Sequence, residues 1–158
     1  LKSAAGAAVG RAHMRINSAN PTVSTLSDAF VADTDGARGW EGQRWDRAEE
    51  VAVTTLDALI DAHGAPDFIK VDVEGFEADV LAGLSAPAPH LSFEVVVAAR
   101  AAGQAALDRC VALGYSAFRF SRGESHRFET EWLSAAEMGS YLRDLPDEAN
   151  SGDVYARV

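Results

Sequence analysis

The chain has 158 residues and one cysteine, and its 14 Lys+Arg against 24 Asp+Glu leave a formal charge of −10. That length suits one domain with a core of its own, and the acidic balance argues against nucleic acid or an anionic membrane surface, both of which need a basic face. A lone Cys110 excludes an internal disulfide or a multi-cysteine zinc site, and with no long apolar run or visible leader the expected location is the reducing cytoplasm.

In chain order, Ala12–Asn17 alternates loosely as a strand, and residues 18–50 are polar. Turns are marked there by Asn20-Pro21, Asp35-Gly36 and Glu41-Gly42, with a weak helix near Leu26–Ala32. So long an irregular stretch is either a functional lid or a poorly ordered excursion. Val51 and Val53 suggest a short strand. Thr55 then caps a helix whose inner face holds Leu56, Leu59, Ile60 and His63, stopped by Gly64 and Pro66. Asp67–Val73 reads as a buried strand. Glu74-Gly75 turns it into a helix with the stripe Phe76, Val80, Leu81 and Leu84, broken by Pro87 and Pro89.

Leu91–Val97 is the next strand. Ala98–Leu113 is a helix burying Leu107, Cys110 and Val111, with Gly114 as its stop. Tyr115–Phe120 is a strand, and residues 121–127 form a charged loop. Ser134 and Glu137 are spaced as a capping box with Leu133 and Met138 as its staple, opening a helix to about Leu145. Asp153–Val158 closes the chain as a strand. The expected domain is therefore single: a strand and long polar loop over 1–49, then an alternating strand/helix core over 50–158. Such alternation predicts an α/β sandwich with a largely parallel sheet.

Ligands of open α/β sheets bind beyond the carboxyl ends of the strands. Here that places Asp72, Glu74 and Glu94 together, three carboxylates that need compensation by a cation, hydrogen bonds or raised pKa values. Lys70 lies on the same strand face as Asp72. The plainer alternative is that Lys70 pairs with Asp72 while Glu74 caps the next helix. Arg122 and His126 belong to a loop able to meet an acidic substrate group or simply to face solvent. His13 is a general base or an ordinary edge residue, His63 a structural histidine, and His90 a loop residue. No histidine pair has metal-ligand spacing, and the chain lacks GxSxG, GxxxxGK[ST] and a strand-following GxGxxG.

The string Val53-Thr54-Thr55-Leu56-Asp57-Ala58-Leu59-Ile60, then Pro66-Asp67-Phe68-Ile69-Lys70-Val71-Asp72-Val73-Glu74-Gly75-Phe76-Glu77, then Val80-Leu81-Ala82-Gly83-Leu84, closely resembles the FkbM family of methyltransferases. Residues 20–26 also resemble the polar loop that precedes it. The resemblance implies a Rossmann-like three-layer sandwich with a mostly parallel sheet and S-adenosylmethionine as cofactor. It further implies a hydroxylated small-molecule acceptor such as a sugar or natural product. Asp72 and Glu74 become the expected catalytic residues, with Glu94, Lys70, His13 and Arg122 against the substrate and no metal.

The family's acidic-glycine loop and second acidic residue have no counterpart here. The expectation is thus a C-terminal half to two-thirds of an enzyme, lacking the N-terminal strands, with cofactor contacts unassigned. An open sheet edge would then be covered by a homodimer or another association. Two other readings compete: a non-catalytic interaction module on the same fold, and a metal-dependent glycosyltransferase-like protein using Asp72-x-Glu74.

Overall fold

The computed structural model describes residues 2–125 and 127–158; His126 lies outside the described residues. Its strands are β1 (Ala4–Ala5), β2 (Gly10–Ile16), β3 (Arg47–Thr54), β4 (Phe68–Val71), β5 (His90–Val96), β6 (Ala117–Arg122) and β7 (Ser151–Arg157). The α-helices are α1 (Asp28–Thr34), α2 (Leu56–His63), α3 (Glu77–Ala82), α4 (Arg100–Leu113) and α5 (Ala135–Asp144). Among the described residues no helix is long and apolar enough to cross a membrane.

The strands form two mixed sheets, ordered β1-β3-β2 and β4-β5-β7-β6. In the larger sheet β4 and β5 pair in parallel, whereas β7 pairs antiparallel with both β5 and β6. The expected mostly parallel sheet is therefore corrected to a mixed one. The reason lies in the return path after β6. Residues 128–133 run back along β6 through bridges at Ser121↔Phe128 and Phe118↔Leu133. α5 then carries the chain forward again, so β7 starts beside the carboxyl end of β5, where Val96 pairs with Ser151. A strand entered from that rim has to run backwards.

Alternation along β5 separates the two faces of this sheet. Leu91, Phe93 and Val95 point into the main core with Leu81, Leu107, Cys110, Phe118, Phe120, Met138 and Val154. α4 packs on β5, α5 on β6, and α3 lies beside α4, so the main helix layer covers that face. Ser92 and Glu94 occupy the opposite face, in register with Tyr155 and Asp153 of β7. β4 is the edge strand, yet its Ile69 and Val71 are buried while Phe68 is exposed.

Helix ends follow local chemistry. Ser134 and Glu137 form the full capping box on α5, and Thr55 caps α2 by accepting from the Ala58 N–H. Gly114 ends α4 in the left-handed region at φ 101°. Two helix faces differ from expectation. Val111 is 45% exposed because the inward stripe of α4 runs through Gly103, Ala106, Leu107, Cys110 and Leu113. His63 is exposed because α2 has no fully buried residue and leans on the core only through Leu56 and Ile60.

The polar segment 18–50 has a small core of its own. Phe30 meets Trp40 edge-to-face at 5.1 Å, Trp40 stacks on Trp45 at 6.4 Å, and Val23, Val96 and Ala99 complete the cluster. Trp45 also donates its indole N–H to the Val23 carbonyl at 2.9 Å. This segment is an ordered wall set against the end of β5.

Candidate functional site

β4 ends at Val71, paired with Phe93, so the next residue along, Asp72, comes beside Glu94 of β5. The chain then breaks sharply. Glu74 has φ 56° and Gly75 φ 82°, two successive left-handed residues. For glutamate this conformation costs about 1–3 kcal/mol, so the surroundings must impose it. They do so from both sides. Glu77, 2% exposed, turns its carboxylate back to accept the Val73 N–H at 3.2 Å and the Gly75 N–H at 3.1 Å. From the polar segment, the Thr25 hydroxyl donates to the Glu74 carbonyl at 2.7 Å. Phe30 lies so close to Gly75 that a Cβ there would come 2.5 Å from its ring. Only glycine fits at that position.

The turn makes the carboxylates converge. One oxygen from each of Asp72, Glu74 and Glu94 lies within 4.8 Å of the others. Asp72 is the most open, its side chain 42% exposed, and it pairs with Lys70 Nζ at 3.3 Å. Lys70 also reaches Asp153 Oδ1 at 3.3 Å across the sheet. Burial works to lower the Lys70 pKa, but the carboxylates of Asp153 and Asp72 outweigh it and the net shift is upward. Behind the mouth, one carboxylate oxygen each of Glu74 and Glu94 is buried without a hydrogen-bond partner among the described residues.

Those two glutamates hold protons far above the usual range. Burial pushes Glu74 up to about 7, helped by the charges of Asp72 and Glu77. Burial again leads at Glu94, raised to about 9 with help from Asp72, Glu74 and Glu77. Burial raises Glu77 as well, though its backbone hydrogen bonds oppose the shift. Near neutral pH a protonated Glu94 thus stands behind the exposed Asp72 side chain, a pairing suited to acid–base work.

This has a consequence for stability. Both glutamates have folded pKa values above the ordinary carboxyl value, so the folded chain binds protons that the unfolded chain releases. Their stabilisation is complete below about pH 4.5 and is lost as pH rises through about 7 for Glu74 and about 9 for Glu94. Tm measured from pH 5 to 9.5 is expected to fall, and Glu94→Gln, which stays neutral, is expected to flatten the upper part of that fall. A wild-type Tm that is level or climbing over this interval would contradict the assignment.

A cavity of about 290 Å³ opens beside Asp72, lined by Ser3, Ala4, Ala5, Met14, Ser24, Thr25, Leu26, Val73 and Phe76. Among the described residues, Asp72 is the only charged one in that lining. The structure brings Lys70, Asp72, Glu74 and Glu94 into one neighbourhood but places two other expected residues elsewhere. His13 is exposed on β2 and paired in register with Glu50, while its neighbour Met14 faces the cavity. Strand alternation turns His13 outward. Arg122 ends β6, where it forms an ion pair with Glu129 and its Nη2 donates to Glu129 Oε2 at 3.1 Å, outside the cavity wall.

Two residues of the site were missed by sequence reasoning. Thr25 acts across 49 positions of sequence, with no local signal to betray it. Glu77 opens α3, and its spacing of four from Val73 was the available hint of a turn-back contact.

The sulfonium methyl donor used by methyltransferases in general has a cationic reacting end and a nucleoside end. Asp72, the exposed member of the cluster, offers the cationic end of such a molecule a carboxyl group at the cavity wall, while the protonated Glu94 behind it adds no charge. The cavity, at about 290 Å³, sits at the lower limit for a drug-sized ligand, and among the described residues its lining includes Ser3, Ser24 and Thr25 but offers the nucleoside end no charged partner besides Asp72. The residues present therefore fit the reacting end only.

Neither a curated protein nor a solved structure matches the chain significantly. A family model, the methyltransferase FkbM domain, matches residues 3–144. With nearly the whole chain inside that match, and with the acidic turn after β4 at its centre, the protein belongs to the FkbM methyltransferase family.

Proposed function

We propose that this chain serves methyl transfer from S-adenosylmethionine to a hydroxyl group of a small-molecule acceptor, with Asp72 as the residue that orients the hydroxyl and takes its proton. The observation carrying this reading is the Asp72 carboxylate, half exposed at the wall of a cavity while Glu74 and Glu94 crowd behind it. The cofactor supplies the methyl group. The chain's own residues position the acceptor and hold protons, as expected for a displacement governed by geometry.

Each side chain has a distinct task in this reading. Asp72 faces the cavity and accepts the hydroxyl proton. Glu94, protonated and buried, keeps a second negative charge from building up beside Asp72, and Glu74 tunes the same field. Lys70, shared between Asp72 and Asp153, anchors the Asp72 carboxylate at the strand end. The strand order β4-β5-β7-β6, with β7 alone reversed, supports reading the larger sheet as part of a Rossmann-like methyltransferase sheet.

Calorimetry with S-adenosylmethionine and with its demethylated product, followed by transfer of a labelled methyl group to a panel of hydroxylated acceptors, tests the proposal. Heat of binding and label on a hydroxyl oxygen are the expected results. No heat at millimolar cofactor together with no transfer would overturn the reading for this chain.

A further inference from the structure

Glu74 is one of only two non-glycine residues with positive φ among the described residues, the other being Asn150. Its carboxylate reaches Asp72 and Glu94 because the backbone turns left-handed immediately after the strand. Beside the local grip of Glu77, a second hold on that conformation comes from far away in sequence. The Thr25 hydroxyl donates to the Glu74 carbonyl at 2.7 Å, with the Val73 carbonyl at 3.4 Å from the same oxygen. That oxygen also accepts the Ser27 N–H at 2.9 Å, so its proton is directed at the turn.

Thr25 is itself well anchored. Its backbone exchanges hydrogen bonds with Arg15 of β2, at 2.7 Å and 3.0 Å. It is 1% exposed, and it lines the cavity beside Asp72. Two residues on, Ser27 caps α1 by accepting the Phe30 N–H, and Phe30 closes over Gly75. One short stretch of the polar segment therefore grips the acidic turn through a hydroxyl and a ring, and ties it to the smaller sheet.

We propose that Thr25 is the positioning residue of this site: its hydroxyl locks Glu74 in the left-handed turn that aims the glutamate carboxylate at Asp72 and Glu94. The activity arm of its test rests on the methyl-transfer reading; the structural arm does not. A hydroxyl is required, and a methyl group is not. Thr25→Val keeps the shape and removes the donor, whereas Thr25→Ser keeps the donor.

Residue-resolved amide exchange at Gly75 and methyl-transfer kinetics are to be compared in wild type and both variants. In Thr25→Val, Gly75 exchange is expected to speed up about 10-fold or more as the turn opens locally. Its kcat should fall about 10–100-fold, more than its acceptor KM changes, since a misaimed group costs turnover before binding. Thr25→Ser should return both quantities to near wild type, which a role limited to filling space would not produce. Unchanged Gly75 exchange in the valine variant, or no rescue by serine, would overturn the proposal. If wild type transfers no methyl group, the methyl-transfer reading fails, and the exchange comparison alone still decides the role of Thr25.

Discussion

Asp72→Asn is expected to reduce kcat by about 10²–10⁴-fold while leaving the fold intact, the loss that follows removal of a general base. Asparagine occupies nearly the same space at the end of β4. Lys70 keeps its other partner, Asp153 Oδ1 at 3.3 Å, so no buried cation is orphaned. The same substitution has a second effect that needs no turnover. The Asp72 charge is the next cause after burial of the high Glu94 pKa, so removing it should bring that value down from about 9. It should stay above the ordinary carboxyl range, because burial is untouched. Carbon-13 carboxyl titration reads this shift, and steady-state kinetics read the loss of turnover. A variant with wild-type kcat would remove Asp72 from the mechanism.

Gly75→Ala should be the most damaging small substitution near the site. Its φ of 82° is unfavourable for any residue with a Cβ, and the new atom would sit 2.5 Å from Phe30 Cδ2 and 2.7 Å from Phe30 Cβ. Phe30 cannot withdraw, being 1% exposed and packed edge-to-face on Trp40. Backbone strain and overpacking together should cost about 2–4 kcal/mol, a fall in Tm of roughly 5–15 °C for a domain of this size. Gly36→Ala is the matched control. It has φ 69° with no atom within 4 Å of the added Cβ, so it carries the strain without the collision. Equal losses of Tm in the two variants would mean that Phe30 does not press on the turn as described.

The centre of the site was readable because its signals are local. A β-branched run, an acidic pair and a glycine mark the end of β4, and the observed strand and turn follow them. The Ser134–Glu137 spacing and Gly114 set the ends of α5 and α4 in the same way. Hydrogen bonds that close within four residues depend on the sequence of those residues alone. What lay outside reach was every feature decided by distant partners. The two-residue strand β1 exists only because Val53 and Thr54 offer it a ladder. Trp40 and Trp45 stand in a polar stretch of the sequence, and form a core only because folding brings Phe30 and Val96 to them.

The sequence by itself determined that a buried strand ends in Asp72-Val73-Glu74-Gly75 and that a glutamate follows on the next strand, since residue type and two-residue alternation settle those matters. The tertiary structure alone decided that β7 enters reversed, that His13 and Arg122 face away from the cavity, and that Thr25 closes on the turn from 49 residues away. Strand direction depends on the rim from which a connection returns. The grip on a strained turn depends on which side chain the rest of the fold delivers there.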